Sequence, residues 1–493
     1  MAVKQPNMKA ADSPIVMKAG DTAARETAAQ KAVEATINET PEVASALAAR
    51  GIPATYDSNN RAYVELAGTT DELHAIGEYL TSYQPARNAF LNALVNRIGL
   101  TIVTSKLYHN PWAVFKRGYL EFGDTIEEIF VNLADVHGFY PEGAEDTFAK
   151  RELPDVRTAF HRMNFQKFYK TTVSSQQLRQ AFLSWTAVSD LIARIIESLY
   201  TSANTDEYYV MRYFLAKCLL NGYIGSVEIP AIGKDNAVDI ATQFQYMSDL
   251  FQYQSTKYNM AGVTTHTAFE DQYFIVTAKF KATMNMNVLA TAFNLEYREF
   301  QARMITVDTF TDFDWARMDA LFTDPATGKL DPNYHRFTED EIALLETVPA
   351  VLVSRDWWMV LDNYVESAQW FNGEGLYWNH WHHVWKTISC SPFGQAAAFT
   401  PTAPTITSVT VTPATATLSK GADLQLSAAV VGTGIVNHGV QWTVTGGAAS
   451  GTTVTNGGYL HVAANETATT LTVTATSIQD GKKTGESTIT VTA

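Results

Sequence analysis

Alternating hydrophobic and polar positions mark two extended segments, at residues 122–133 and 148–172. Both are rich in β-branched and aromatic residues, and the connection between them contains Gly138, Pro141 and Gly143. Such residues suit pleated strands whereas Gly and Pro interrupt them, so the pattern predicts a long β-hairpin within about 105–174. Charged and apolar residues alternate along its second arm. A projecting pair of strands is marginally stable alone, so we expect a neighbouring copy of the chain to cover it.

Two consecutive amphipathic helices are predicted after the hairpin. Ser174 and Gln177 have the spacing of a capping box, and an apolar stripe follows over 175–202. A second cap, Asn204 with Glu207, is expected to open another helix that ends at Asn221-Gly222. The buried stripe of this second helix is predicted to contain Tyr208, Met211, Leu215, Cys218 and Leu219.

The rest of the body alternates between helical and extended patterns, which predicts a mixed α+β domain. Strands are expected at 224–229, 272–280, 304–307 and 350–353, and helices at 237–251 and 288–293. Residues 311–348 form a polar insertion with one short helix near 339–346. Aromatic residues then crowd the chain, and 377–399 is predicted to be one long strand. Trp381, His383 and Trp385 would share one face of it, and His380, His382 and Val384 the other.

The two ends of the chain differ in composition from the body. Residues 1–50 contain few large apolar side chains, so we expect a mobile arm with a weak helix at 22–37 that cannot carry a core. A helix at 89–98, ended by Gly99, and a short strand at 100–103 are expected to follow. From Thr400 the chain is rich in Thr, lacks Arg and has short alternating segments separated by Gly turns, which predicts a separate β-sandwich.

The charge of −15 argues against a surface that grips nucleic-acid phosphates. Cys218 and Cys390 lie in apolar patterns and are expected to be buried free thiols, in keeping with a reducing compartment. The first residues lack the apolar core of a signal peptide and no segment is long enough to span a bilayer, so neither secretion nor membrane attachment is expected.

Few residues suggest catalysis or metal binding. His380, His382 and His383 are the obvious metal candidates, but a third ligand at a diagnostic spacing is missing. Asp324 to Asp331 only superficially resembles a calcium loop. Glu127 and Glu128 are neighbours on a strand and point to opposite faces, so they do not form a glycosidase pair. The sequence has no phosphate-binding loop, nucleophile elbow or dinucleotide fingerprint. We therefore expect no enzyme activity, no metal and no cofactor.

Ordered blocks of sequence resemble the major capsid (head) proteins of phi-29-like short-tailed phages. The similar blocks are residues 94–100, 110–111 with 115–118, 123–129, 151–156, 181–185, 289–294, and 375–379 running into 383–385. The C-terminal part resembles a group-two bacterial immunoglobulin-like domain in residues 409–413, 418–421, 440–442 and 471–475.

The resemblance implies a Hong Kong 97-type capsid fold followed by an all-β immunoglobulin-like sandwich. The implied parts are an N-terminal arm (1–90), a capsid domain (91–400) and the sandwich (404–493). Within the capsid domain they are the extended loop (about 105–174), a spine helix (175–202), an axial domain (about 224–370) and a peripheral strand (376–400). The candidate assembly-interface residues are Glu127, Glu128, Arg151, Asp155, Arg157, Trp378, Trp381 and Trp385.

The implied function is structural: pentamers and hexamers that form an icosahedral phage head around double-stranded DNA. The implied partners are a scaffolding protein, a portal and possible tail or head-fibre proteins, with assembly in the host cytoplasm. The alternative is a secreted carbohydrate-binding adhesin or glycan-active enzyme, because surface proteins also append such sandwiches and aromatic clusters bind sugars.

Overall fold

The computed structural model describes residues 22–83, 85–86, 90, 110–120, 125–134, 155–174, 197–233, 235–284, 303–446, 449 and 451–492. The helices in these ranges are α1 (Thr22–Glu39), α2 (Pro41–Ala48), α3 (Thr70–Ser82), α4 (Ser202–Leu220), α5 (Ala237–Phe251), α6 (Ala278–Thr283), α7 (Trp315–Phe322) and α8 (Glu339–Glu346). None of these described helices has the length and apolarity needed to span a membrane.

The described strands fall into two groups, before and after the composition change. The first group is β1 (Ala54–Tyr56), β2 (Ala62–Val64), β3 (Lys116–Tyr119), β4 (Thr125–Val131), β5 (Val156–Arg162), β6 (Phe165–Ser174), β7 (Gly225–Glu228), β8 (Gln272–Thr277), β9 (Met304–Val307), β10 (Ala350–Ser354), β11 (Trp358–Asn372), β12 (Tyr377–Cys390) and β13 (Ala396–Thr400). The second is β14 (Thr405–Thr412), β15 (Thr415–Ser419), β16 (Asp423–Gln425), β17 (Ser427–Thr433), β18 (Val440–Thr445), β19 (Thr453–Val454), β20 (Tyr459–His461), β21 (Thr470–Ser477) and β22 (Thr484–Thr492).

A five-stranded sheet in the order β7-β13-β10-β8-β9 forms the centre of the body. Every residue of its middle strand, β10, is buried, because the sheet is covered on both faces. The predicted strands at 224–229, 304–307 and 350–353 are confirmed. The strand predicted at 272–280 ends early, because the Thr277 side chain accepts from the backbone N–H of Phe280 and starts helix α6.

Helices α5 and α4 cover the two faces of this sheet. The α5 prediction is confirmed, and its Phe244 packs 4.2 Å from the Phe399 ring, measured between centroids. On the other face, Met211 and Leu215 of α4 share a core with Val351 and Val353 of β10. The alternation along β10 therefore divides its side chains between two cores.

The N-terminal end of α4 differs from the prediction. The helix begins at Ser202, directly after a π-helical turn at Glu197–Thr201, so the expected cap at Asn204 is wrong. The Glu207 carboxylate does not close a capping box. It is buried, accepts from the Asn110 side-chain amide at 2.7 Å and pairs with Lys386. The predicted buried stripe is confirmed.

A four-stranded sheet in the order β3-β11-β12-β6 lies beside the first sheet. Four charged side chains join it to α4. Lys116 on β3 lies 3.3 Å from Glu207 and 2.6 Å from Asp362 on β11, and Lys386 on β12 pairs with the same two carboxylates. Burial, and then the neighbouring Lys116, lower the pKa of Lys386. This charge cluster joins the four-stranded sheet to α4, the helix that also covers one face of the five-stranded sheet.

The prediction of one strand over 377–399 is wrong. β12 ends at Cys390, and the chain crosses through 391–395 to β13, which belongs to the five-stranded sheet. A Cβ on Gly394 would lie 2.5 Å from the Trp357 Cα, so this crossing needs glycine there. Pro392, which has no backbone N–H, suits a segment outside the strand ladders. β11, which precedes β12, also lies in the four-stranded sheet.

Residues 22–82 form a small folded unit, and the expectation that residues 1–50 cannot carry a core is wrong for its first part. Helix α1 covers the predicted helix at 22–37, and its Val33 and Ile37 are fully buried with Leu47, Leu73 and Leu80. The apolar residues are sparse, but three helices and the β1-β2 hairpin bring them together. Helix α3 starts with a capping box between Thr69 and Glu72.

The segment 311–348 is an ordered lobe on α4. Its predicted helix near 339–346 is confirmed as α8, and a second helix, α7, was not predicted. Tyr213 of α4 stacks on Phe337 with centroids 5.1 Å apart, and Tyr334 lies 5.3 Å away. Polar residues separate these aromatic residues in the sequence, so no regular apolar pattern indicated that the segment packs on α4.

The hairpin prediction is confirmed for its base and corrected for its second arm. β4 pairs antiparallel with β5, as expected. The second arm then divides at 163–164, and β6 pairs with β12 in the four-stranded sheet. Several predictions lie outside the described residues: most of the helix at 89–98, the strand at 100–103, the connection at 135–150, the helix at 288–293, and residues 175–196 with the Ser174/Gln177 cap.

The C-terminal strands enclose one core that includes Trp442, and they dock on the body. The loop before β18 supplies most of the contact. The Ser226 hydroxyl donates to the Ile435 carbonyl at 2.7 Å, the His438 N–H donates to the Gly222 carbonyl at 2.8 Å, and Gln441 donates to Gly262 at 3.1 Å.

Gly222 tests how tightly this sandwich is docked. It has φ +73°, and an added Cβ would overlap the His438 ring. Gly421 has φ +78° with nothing near its Cβ position, so it is a matched control for the backbone strain alone. We expect Gly421→Ala to lower the free energy of unfolding by about 1–2 kcal/mol. Gly222→Ala should cost about 1–3 kcal/mol more because of the overlap.

Urea unfolding of the unassembled chain measures both changes. Adding His438→Ala to Gly222→Ala should return the loss to the Gly421→Ala level. Equal losses for the two glycine variants would mean that the interface is loose.

Candidate assembly surfaces

The β4-β5 hairpin has one face turned to solvent and one turned to its own chain. Thr125, Glu127, Ile129 and Val131 are exposed on β4, and the alternate residues are half-buried. Their partners on β5 follow the same alternation. We define the outer hairpin face as Glu127, Ile129, Val131, Val156 and Phe160.

Four of the exposed side chains on this side of the hairpin are large and apolar. Ile129 is 59% exposed, Val131 58% and Phe160 61%. Contiguous exposed apolar side chains on one strand pair are unusual for a surface that stays in water. The sequence had drawn attention to the charged residues of this hairpin, and the apolar ones carry the stronger signal. Strand periodicity, applied to β4 and β5 together, could have found them.

Glu128 lies on the inner face and anchors the hairpin. One of its oxygens lies 3.1 Å from the His161 Nε2, and the other accepts from the Ser391 hydroxyl at 2.9 Å. Next to it, the Phe130 ring stacks on Phe393 at 5.3 Å. The opposite orientations predicted for Glu127 and Glu128 are confirmed. Glu128 therefore holds the hairpin on the crossing at 391–395.

Asp155 and Arg157 are also committed to contacts within the chain. The Arg157 guanidinium donates to the Ala261 carbonyl and to Asp155, where Nη2 lies 3.0 Å from the carboxylate. Burial by itself would raise the pKa of Asp155, but hydrogen bonds from Arg157 and Asn132 outweigh it and hold that pKa below its usual value. Arg151 lies outside the described residues.

The outer side of the four-stranded sheet carries aromatic side chains. Trp381 and Trp385 lie on it, as predicted, and the Lys170 ammonium lies 5.6 Å from the Trp381 ring centroid. The Trp385 ring lies 4.8 Å from Tyr364. We define the aromatic sheet face as Phe168, Trp370, Trp381, His383 and Trp385. Trp370 is 71% exposed.

Trp378 is not available for an interface in this structure. It is fully buried, packs in the core of the 22–82 unit and lies 4.7 Å from the Phe371 ring. The interface prediction for Trp378 is therefore wrong. Side chains along β12 alternate between the two faces of the sheet, and Trp378 lies on the buried face, between the partly exposed Tyr377 and Asn379.

The histidines of β12 alternate as predicted. His380 and His382 face inward, and burial lowers the pKa of each to about 4. Neither ring nitrogen of His380 has a hydrogen-bond partner in the structure, while His382 lies 3.1 Å from the Ser367 hydroxyl. Among the described residues no group of three His, Cys, Asp or Glu side chains could hold a metal ion.

The Asp324 loop makes local turns. The Asp324 carboxylate accepts from the Ala326 N–H at 2.9 Å and from the Thr327 hydroxyl at 2.7 Å. The Asp331 carboxylate accepts from the Asn333 N–H at 2.8 Å. These carboxylates organise the backbone of the loop rather than converging on one point.

Comparison with known proteins adds a sequence relationship. The model of the family described as "Phi29-like phage major capsid protein" matches residues 53–400. The major capsid protein of Bacillus phage B103 is 34% identical over 424 residues, which cover 85% of this chain and 86% of that protein. That of Bacillus phage GA-1 is 33% identical over 358 residues, covering 70% and 68%. The capsid structure of Staphylococcus phage Andhra is similar over 60% of this chain and 85% of that one, with 16% identity and a TM-score of 0.46.

Trp378 and Trp370 give a matched test of the buried and exposed faces. Trp378→Ala should leave a cavity between β12 and the 22–82 unit and lower the free energy of unfolding by about 3–5 kcal/mol. Trp370→Ala should change it by less than about 0.5 kcal/mol in the unassembled chain. Denaturant unfolding followed by circular dichroism measures both, and similar losses would contradict the two-faced description of this sheet.

The lowered pKa of His380 predicts that the folded protein loses stability in acid. Its folded pKa of about 4 lies below the ordinary value of 6.5, so the unfolded state takes up a proton first as the pH falls. The stabilisation is complete above pH 6.5 and is lost towards pH 4, by about 3 kcal/mol at most. His380→Leu should flatten the dependence of the unfolding free energy on pH between 6.5 and 4. An unchanged slope would show that His380 is not responsible.

Proposed function

The chain belongs to the family of Phi29-like phage major capsid proteins, and on that premise we propose that it assembles into the pentamers and hexamers of an icosahedral head around double-stranded DNA. The protein is a structural component of a phage capsid and not an enzyme. The observation that carries the assembly proposal is the outer hairpin face.

The hairpin is built to present that face to another molecule. Its inner side is fixed by Glu128, Phe130 and Arg157, so the strands cannot turn over to bury their apolar residues. Covering a half-exposed Val, Ile or Phe side chain is worth roughly 1 kcal/mol. Several such side chains on one rigid surface can supply the apolar centre of an interface between copies of the chain.

The assignment of assembly residues changes with the structure. Glu127, on the outer hairpin face, remains a candidate for contact with a neighbouring copy, as does Arg151. Trp381 and Trp385 are candidates on the aromatic sheet face. Glu128, Asp155 and Arg157 act indirectly in this proposal, because they hold the hairpin in the orientation that a neighbour would meet.

We infer a Hong Kong 97-type arrangement for the body. The hairpin would be the extended loop, the five-stranded sheet with α4 and α5 the axial domain, and the four-stranded sheet part of the peripheral domain. The structural features that support this inference are a strand pair with one solvent-facing side and two sheets between which the chain passes at 355–357 and again at 391–395.

We infer that residues 404–493 are a group-two immunoglobulin-like domain on the outside of the head. Its all-β core, its Trp442 and its antiparallel pairing of β18, β21 and β22 are compatible with that class. In this position it would reinforce contacts between capsomers or meet the host surface, together with any head-fibre or tail proteins.

The net charge of −15 agrees with a shell that encloses DNA without binding its phosphates tightly. Assembly in the host cytoplasm would use a scaffolding protein and a portal. The alternative of an adhesin or glycan-active enzyme gains no support from the family relationship, which is to structural capsid proteins.

Val131 and Val431 provide a matched test of the outer hairpin face. Both are valines on strands, 58% and 53% exposed, and Val431 lies on the C-terminal sandwich. Val131→Glu places a charge where a neighbouring copy should pack, and should reduce particle yield at least about tenfold because desolvating that charge costs more than 1.4 kcal/mol. Val431→Glu should leave the yield within about twofold of the parent, because it lies outside the outer hairpin face that carries the central contact of this proposal.

Electron microscopy and sedimentation count the particles made when each variant is co-expressed with its genomic neighbours. The unassembled Val131→Glu chain should melt within about 2 °C of the parent, since the side chain is exposed. Phe160→Glu should reproduce the defect. Normal particles from Val131→Glu and Phe160→Glu would remove the hairpin face from the assembly contacts.

A further inference from the structure

The two cysteines of the chain meet in the folded protein. Cys218 lies near the C-terminal end of α4 and Cys390 is the last residue of β12. Both thiols are free, and Cys390 packs against the core that contains Cys218, close enough to raise the pKa of the Cys218 thiol. The sequence had indicated two separate buried thiols, so the proximity of the two is new information from the fold.

The register of the surrounding elements accounts for this meeting. Phe214 and Cys218 are one helical turn apart on the same side of α4. The Phe214 ring lies 6.1 Å from the Trp358 ring, and Trp358 is the strand partner of Cys390. Cys390 also packs against the core that contains Cys218. The chain turns back directly after the helix, where the Tyr223 N–H donates to the Cys218 carbonyl at 2.9 Å.

The two thiols differ in access to solvent. Cys218 is almost completely buried and Cys390 is half-buried. Burial, and then the contact with Cys390, raise the pKa of the Cys218 thiol. A small oxidant therefore reaches Cys390 first, and Cys218 lies behind it within the core.

We propose that Cys218 and Cys390 are a redox-sensitive thiol pair, which a peroxide-class oxidant converts into an intramolecular disulfide between α4 and the end of β12. In the first step the Cys390 thiolate attacks one peroxide oxygen, the O–O bond breaks, and Cys390 becomes a sulfenic acid as hydroxide leaves. In the second step the Cys218 sulfur attacks the Cys390 sulfur. The S–O bond breaks, the Cys218 proton goes to the departing oxygen, and water leaves.

The disulfide would close a long loop between the helix that covers the five-stranded sheet and the crossing between the sheets. Ser391, the next residue, hydrogen-bonds the Glu128 that anchors the hairpin. The linkage would therefore stiffen the point where the hairpin is attached. A reducing cytoplasm would keep the pair open during synthesis, and exposure to an oxidising medium would close it.

Peptide mapping of the full chain tests the proposal. The purified protein is treated with hydrogen peroxide, free thiols are blocked with N-ethylmaleimide, and the protein is digested without reductant. We expect one linked peptide pair containing Cys218 and Cys390, and an intact mass lower by about 2 Da, the two hydrogens lost. Dithiothreitol should reverse both changes. The midpoint of thermal unfolding should rise by about 5 °C or more on oxidation.

Two single variants identify the order of steps. In Cys218→Ser, a sulfenic acid should form at Cys390 and be trapped by dimedone, with no rise in the thermal midpoint. In Cys390→Ser, Cys218 should react at least about tenfold more slowly than Cys390 does in the parent. The peptide mapping and the intact mass of the parent chain test the proposal even where a variant folds poorly.

Three results would overturn the proposal. They are a parent chain in which Cys390 proceeds to sulfinic acid without a linked peptide, one in which the disulfides join separate chains, and one in which both thiols resist peroxide. None of these results bears on whether the protein forms capsids, because particle formation is scored separately.

Discussion

Four charged side chains, two of them buried, hold helix α4 against the four-stranded sheet. Glu207 on α4 and Asp362 on β11 face Lys116 and Lys386, and each partner comes from a different element. Charges of this kind are tolerated inside a protein only when every partner is in place, and removing one member leaves an uncompensated ion. The set therefore requires α4, β3, β11 and β12 to come together as one unit. The hairpin anchor and the crossing at 391–395 both depend on that arrangement.

The sequence predicted the parts of the fold that are set by local periodicity. Helix α5, helix α8 and strands β9 and β10 have the expected positions, because their apolar patterns are regular. Sequence-based prediction failed where the structure depends on contacts between residues that are far apart in the chain. Glu207 has the spacing of a cap residue, but a buried lysine is the better partner. The crossing after Cys390 depends on two sheets being present, and the core around α1 includes Trp378 from far along the chain.

The candidate assembly residues show the same limitation in a different form. Alternation along a strand predicts which side chains share a face, and Trp381 and Trp385 do share one, as Glu127 and Glu128 do not. It does not say which face will be covered. Arg157 and Trp378 were chosen for their chemical type, and the fold uses both internally. Ile129 and Phe160 were passed over because apolar residues are expected inside, although here they are exposed. Only the structure shows how the hairpin residues are used: polar side chains fix its inner face to the chain, and apolar side chains are exposed to solvent on its outer face.

The docking of the C-terminal sandwich has a consequence for how such chains evolve. The loop around His438 rests on the backbone carbonyls of Gly222 and Asn259 and on the hydroxyl of Ser226. Its place therefore depends on the absence of a Cβ at Gly222 more than on any residue that could be recognised as a binding motif. A sandwich acquired from another gene could sit on this body only after that glycine and the shape of the loop were matched to it. Such a module is packed against the body and not merely tethered by a linker. Without the sandwich, the contact with His438 would no longer restrict position 222 to glycine.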